Sequence, residues 1–598
     1  MKYILIVLMV VTGLQGFSQD EQLAENYIDQ GEYGKALKIY DKIYNANTRS
    51  INNLFNLIEV LHQLERYSSV DSLLDNSQRI MPNNKQLLIE KGYNASLQGQ
   101  DSIATGYYRR AIAVLDSLPQ LTYQIATRFE QRSLLDQAVL SYEKGQELRP
   151  EASANYSIPL SRLYGEQGNV KKMFESYMDV IATNDTYRYR AQAIFSQYVT
   201  EDPDNEANQI LRKVLLTGLR DQPDPIYNQL LSWLFVQQKD FDKAFIQEKS
   251  IYKRNPEGMG SLMQLVFNAV EEQDITASRE ILDYIITESQ SDYVQFNASM
   301  IRAKINADHA TIEEYPAVQA DYERLLMQYG DQQNTYVLQL NYADFLAFKY
   351  DQVDKAVGLL SSLEKLKLSP IQKAQVKMKL ADILVLQEQF NRALILYSQI
   401  QNDVPNNELA QESQFKVAKT SYYQGDFEWS LTQLKVLRSA ASKLIANDAM
   451  SLSLTISDHS QEDTTFVALK AFAKADLKQY QNKTKEAINL YDAILVNHKG
   501  DPIEDDVLFN QAQLYESQSN YELAAQNYQT LIDNYSDGIL ADDAFYRLAL
   551  LYEEKLADPE KAKPLYEKII YNHGDSIHLI DARRRYRRLR GDNSAEEN

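Results

Sequence analysis

Reactive chemistry has few places to reside in this chain. Ser362-Leu363-Glu364-Lys365 has the serine–lysine spacing of an acyl-transfer nucleophile beside its base, but the Lys-Thr-Gly stretch that completes such sites is missing. Gly258-Met259-Gly260 supplies two glycines of a phosphate-cradling turn, yet Met263 takes the third place and no strand pattern precedes it. His573, Asp575 and His578 crowd into one stretch, too few alone for a closed tetrahedral metal site. The remaining histidines, His62, His309, His459 and His498, are scattered. The absence of cysteine excludes disulfides, thiol catalysis, thiolate metal sites and a lipid-modified cysteine. Acidic pairs that could act as acid and base abound, as 24% charged residues make inevitable. The expectation is a protein without catalytic residues, cofactor or metal.

The elements that would position any site are far more regular. Ala36, Val70, Ala104 and Ala138 are spaced by 34 residues. Four residues after each stands Tyr40, Leu74, Tyr108 or Tyr142, and twelve before each stands Ala24, Ile58, Gly92 or Ala126. Ala36, Tyr40 and Ile43 fall at i, i+4 and i+7, one stripe of one helix. Ala24 and Tyr27 lie on the preceding helix, and Gly31-Glu32-Tyr33-Gly34 turns between the two. Small residues at 24 and 36 let the helices approach closely, and the aromatic at 40 fills the space toward the next pair. Pro82 and Pro150 close the second and fourth copies. One such pair cannot bury its apolar side alone and must stack on neighbours.

This period and these residue classes resemble the tetratricopeptide repeat, a helix–turn–helix unit. The register continues through Met173, Ala207, Ala244, Ala277, Val318, Ala356, Ala393, Ser430, Ala487, Ala524 and Ala562, giving about 15 repeats in an all-α superhelical solenoid. The position seven after each serves as a check: it is apolar except at Ser77 and Gly145. Residues 501–546 are similar to the repeats of bacterial outer-membrane assembly lipoproteins and the Tol-associated coordinator.

The expected organisation is a signal peptide at 1–18, an N-terminal array at 19–305, an irregular repeat at 306–330, a central array at 331–440, an extra helix or linker at 441–464, a C-terminal array at 465–580, a basic capping helix at 581–590 and an acidic tail at 591–598. The insertion Asn306 to Pro316 marks a hinge candidate, and Leu444 to Ile456 looks like a helix outside the repeat. In the family the first helix of each unit lines a concave groove that holds partner segments. By that resemblance the groove residues are Phe55, Glu59, His62, Ile89, Tyr93, Tyr123, Thr127, Glu130, Gln229 and Trp233. Their types do not match the Lys, Arg and Asn with which chaperone-binding relatives hold a C-terminal carboxylate.

Met1-Lys2, the apolar run Tyr3 to Val11, and small residues at Gly16 and Ser18 read as a secretory signal cleaved before Gln19. That places the protein outside the cytoplasm, in a periplasm or at the envelope. The net charge of −21 argues against a nucleic-acid partner. Charge reverses at the C-terminus, where Arg583, Arg584, Arg585, Arg587, Arg588 and Arg590 face only Asp581 in that stretch. Arginine clusters grip carboxylates and phosphates, so an acidic protein or an anionic membrane surface is expected there. The overall expectation is an exported scaffold that binds protein segments and helps assemble an envelope complex. The alternatives are a peptidoglycan- or carbohydrate-binding protein and, less well supported, a lytic transglycosylase-like enzyme.

Overall fold

A computed structural model describes residues 20–256, 259–440, 442–459 and 466–591. Among them all regular structure is helical, and the helices come as antiparallel pairs. Ile51–Gln63 and Tyr67–Ile80 form one such hairpin. Polar caps start several helices: Ser50 Oγ accepts from the Asn53 amide, Asp240 from Lys243 and Asp558 from Lys561.

The turns obey a rule that residue types hide. Gly31, Glu65, Gly99 and Ser133 all have positive φ, between 55° and 74°, and recur at the repeat period. Lys239, Asp351, Glu388, Asn482, Ser519 and Ala557 repeat the conformation five residues before the small residue of their own units. The left-handed residue lets the following amide reach back. Arg66 N–H donates to Leu61 O, Gln100 N–H to Ala95 O and Leu134 N–H to Phe129 O, each at 2.9 Å. Ordinary side chains tolerate this backbone at a cost of about 1–2 kcal/mol per residue, which stacking must offset.

Burial follows the expected stripe. Every equivalent of Tyr40 is buried, as is every equivalent of Ala36 except Ala207. The sixth unit is the exception and corrects the register. Ala207 and Val214 are only half-buried, while Asn208, Leu211 and Leu215 are interior. The cause lies just before it, where the first helix shortens to Arg188–Phe195. The Asn208 side chain then ties the helix start to Thr200 O and Asp202 O at 2.8 and 2.6 Å.

Both breaks in the seventh-position check have physical causes. Ser77 is fully buried because its hydroxyl shares a 3.0 Å hydrogen bond with the Tyr44 hydroxyl of the preceding hairpin. Gly145 leaves room for Thr122, whose Oγ1 would lie 2.7 Å from any Cβ built there.

The chain divides into two compact units, Met1–Ile285 and Ile286–Asn598. The division falls ahead of the 306–330 segment expected to hinge. Asn306 to Pro316 is also no loop insertion. Asp292–His309 is one helix, Ala310 and Thr311 follow, and Ile312–Glu314 leads into Tyr315–Tyr329. The Glu314 carboxylate accepts from the Thr311 amide at 2.8 Å, so the added length is helix and cap. The expected extra helix exists as Lys443–Asp458. It buries Ile445, Ala449, Leu452 and Ile456 in one core with Phe427, Leu434 and Leu437, while the helix Glu408–Gln424 meets Val467–Tyr480 directly. The signal segment 1–18, the linker residues 460–464 and the tail 592–598 lie outside the described residues.

Candidate functional site

In the first unit the expected groove residues converge on a charge network that fills the surface they were to expose. Glu90, on Gln86–Leu97, is completely buried. It accepts from Arg128 Nε at 2.7 Å and from Arg132 Nε and Nη2 at 3.1 and 2.6 Å. Arg132 also pairs with Glu59. The Arg128 guanidinium lies 3.5 Å from the centre of the Phe55 ring, and that of Arg132 lies 4.6 Å from the Tyr93 ring. His62 is buried against Tyr93 and 3.1 Å from the Asn94 amide oxygen. Burial, helped by the Arg132 charge, lowers its pKa and keeps the ring neutral. Burial alone would raise the Glu90 pKa, but Arg132 and Arg128 outweigh it and hold the carboxylate ionised.

Ile89 is fully buried and lines no groove. Glu90, Arg128 and Arg132 are the functional-looking residues that sequence reasoning missed. Glu90 and Arg128 on the first helices of consecutive units, with Arg132 just past the end of the second, were the available signal.

The other expected contacts are also engaged internally. Tyr123, 46% exposed, donates to Asn155 O and packs between Tyr142 and Tyr156. Thr127 meets the Tyr142 hydroxyl at 3.4 Å, and that hydroxyl lies 2.9 Å from the Glu130 carboxylate, which also binds Arg162. Gln229 accepts from Arg188, and half-buried Trp233 tilts against Phe195. Tyrosine-to-carboxylate bonds recur throughout: Tyr397 to Asp382 at 2.6 Å, Tyr528 to Glu516 at 2.5 Å and Tyr566 to Glu553 at 2.7 Å. They show what many of the 41 tyrosines are for.

An aromatic cleft opens in the second unit. Of about 410 Å³, it is bounded by Pro370–Leu386, Phe390–Asp403, Glu408–Gln424, Val467–Tyr480 and the extra helix Lys443–Asp458. Phe415, Tyr423 and Tyr480 supply aromatic surface over buried Tyr397, with Val385 and Ile445 beside them. Asp382 is nearly buried and takes the Tyr397 hydroxyl and, at 2.8 Å, Lys416 Nζ. Lys419 is held by Asp476 at 2.6 Å. Both lysines are therefore neutralised, while Glu408, Glu412 and Asp448 stand around the cleft. Burial pushes the Tyr423 phenol well above its usual range, so it stays protonated as a donor.

The expected basic capping helix is Leu579–Arg590, and it turns several of its arginines onto its own chain. Ala582 is buried and Tyr586 and Leu589 pack on the last core, sealing it. Arg585 bonds Asp581 at 2.7 Å, Glu554 at 2.8 Å and Glu553 at 3.1 Å, and Arg588 also pairs with Glu553. Arg584 pairs with Asp581. Arg583 is exposed on this helix, three residues after Ile580, which is 81% exposed.

The serine–lysine and histidine motifs dissolve, and Gly258 of the glycine pair lies outside the described residues. Ser362 and Lys365 are exposed on either side of buried Leu363. His578 lies 2.7 Å from Asp543 and stacks on Tyr546, and His573 packs against Phe545. Among the described residues no three His, Cys, Asp or Glu side chains form a metal-holding group, and no helix is long and apolar enough to cross a membrane.

Comparison with known proteins agrees with the hairpin geometry. Tetratricopeptide repeat family models match residues 472–539 and 543–576. A TPR repeat-containing protein of Methanocaldococcus jannaschii is 22% identical over 166 residues, 27% of this chain. The match spans 29% of that relative's length. Among solved structures, a tetratricopeptide repeat protein from Parabacteroides merdae is 12% identical, covering 49% of this chain and 98% of its own, with a TM-score of 0.25. The structure of Naa15/Naa10 bound to HypK-THB is 13% identical, covering 97% of this chain and 94% of its own, with a TM-score of 0.28.

Proposed function

We propose that this chain, whose last hairpins are tetratricopeptide repeats, is an exported, non-catalytic scaffold that binds protein segments and helps assemble a cell-envelope complex. The observation that carries the reading is the repeat itself. Stacked hairpins bury their apolar stripes against one another and leave first-helix surface for a partner, and in the second unit that surface opens into the aromatic cleft. Against a carbohydrate-binding alternative, Tyr93 already carries Arg132 on its ring and Tyr123 is packed between two tyrosines. Few faces remain free for a sugar there.

The signal-like start supports export, and N-terminal sequencing of envelope material should begin at Gln19. A protein retaining Met1 would sink that part. The C-terminal helix is the proposed attachment to an anionic envelope surface, through exposed Arg583, with exposed Ile580 three residues before it on the same helix. Chemical cross-linking in intact cells, followed by identification of the attached molecules, tests the scaffold reading. Discrete protein adducts support it, and adducts confined to glycan refute it.

A further inference from the structure

The cleft has a chemistry that selects its occupant. Its floor is aromatic, and its lining carries four carboxylates (Asp382, Glu408, Glu412 and Asp448) against two lysines (Lys416 and Lys419). The lysines cannot recruit an anion cheaply. Lys416 is 2.8 Å from Asp382, and Lys419 is 2.6 Å from Asp476 on Val467–Tyr480. Bringing in a carboxylate or phosphate would break a formed ion pair. Glu408 and Asp448 are exposed, and the nearest cation to Glu412 is Lys416 at 3.8 Å. Their field favours a cation, and the face of Phe415 attracts one further when it is partly desolvated, while the Tyr423 ring already lies 5.2 Å from Lys419 Nζ and offers apolar contact.

Volume limits the occupant as well. About 410 Å³ accommodates one or two side chains, not a folded element. Asp448 and Ile445 come from the helix inserted between two repeats, so the cleft is a feature of this chain and not of the repeat.

We propose that the cleft beside Lys443–Asp458 binds a lysine or arginine side chain of an extended partner peptide, its stem on Tyr423, Phe415 and Tyr480 and its charge among Glu408, Glu412 and Asp448. This rests on the scaffold reading and names the chemistry of the bound segment.

The test is fluorescence anisotropy with the full chain and a short labelled peptide alternating lysine and leucine. A glutamate–leucine peptide of equal length and free spermidine are the comparison arms. Saturable binding of the lysine peptide is expected, weakened by added salt, with the glutamate peptide inert and spermidine a poor competitor. Glu412→Gln with Asp448→Asn, both on solvent-facing carboxylates, should weaken the lysine peptide by about tenfold while circular dichroism stays unchanged. Tyr423→Leu should weaken it too, reporting the aromatic floor independently of charge. Equal binding of the glutamate peptide, equal competition by spermidine, no saturable binding, or indifference to both variants would each overturn the proposal. Protein adducts in cells would survive all four results, so failure here is separable from failure of the scaffold reading.

Discussion

Removing the carboxylate of Glu90 should be among the most damaging single changes in the first unit. The side chain is fully buried, and its two partners are 8% and 6% exposed, so neither guanidinium can turn to water without unpacking. Glu90→Ala leaves Arg128 with no carboxylate partner and Arg132 with only Glu59. Breaking a buried ion pair from one side costs about 3–5 kcal/mol, because the surviving charge stays desolvated. Glu90→Gln keeps an acceptor oxygen and should cost less, about 2 kcal/mol.

Each unit contains one tryptophan, Trp233 in the first and Trp429 in the second. Urea unfolding of the full chain in a Trp429→Phe background, followed by Trp233 emission, therefore reads the first unit. Acid supplies a second check. The folded pKa of Glu90 is depressed, so its stabilisation is present above the ordinary carboxylate range and is lost as pH falls through the lower folded value. The gap between wild type and Glu90→Gln should narrow in that window. A Glu90→Ala protein within about 0.5 kcal/mol of wild type, the range of neutral surface changes, would refute the network as a structural device.

Other outcomes follow from the packing. Gly145→Ala should destabilise despite a helix propensity gain of about 1 kcal/mol, because the new Cβ meets Thr122; thermal melting against wild type decides the sign. Ala557→Gly should raise stability by about 0.5–1 kcal/mol, since Ala557 holds φ near 51° at a hairpin turn. Arg588→Glu should lower the melting temperature by setting a like charge beside Glu553, whereas Arg583→Glu should leave it unchanged and release the protein from anionic vesicles at low salt. Burial alone would depress the His459 pKa, but the 2.7 Å bond to Asp506 outweighs it and leaves the value raised. Its link between the extra helix and Glu504–Ser517 is thus fully present below the ordinary histidine pKa and fades as pH rises through the folded value. Hydrogen-exchange protection factors of Lys443–Asp458, which correct for the base-catalysed rise in intrinsic rate, should fall over that rise.

The repeat was legible because its signal is geometric. Small residues and tyrosines at fixed intervals are what close helix packing demands, and their burial follows from Ala36 through Ala562 with Ala207 the exception. Residues 188–215 misled because one short helix shifted the register, which no local residue type announces. The groove was harder to read. Position on a first helix was enough to nominate Phe55, Glu59 and Tyr93, but the filling of that surface depends on Arg128 and Arg132 reaching back from later helices. The cleft was invisible for the same reason. Asp382, Lys416, Asp448 and Tyr480 come together only through stacking and the inserted helix.

The central claim is that a protein segment is held on the first-helix surface of the second unit. A photoreactive amino acid placed at Tyr423 in the cleft, and in a separate variant at the 52%-exposed Leu140, tests it in intact cells. Irradiation should yield a discrete protein adduct from position 423 and none from position 140. Equal labelling from both positions, or none from 423, would contradict a scaffold that works through this surface.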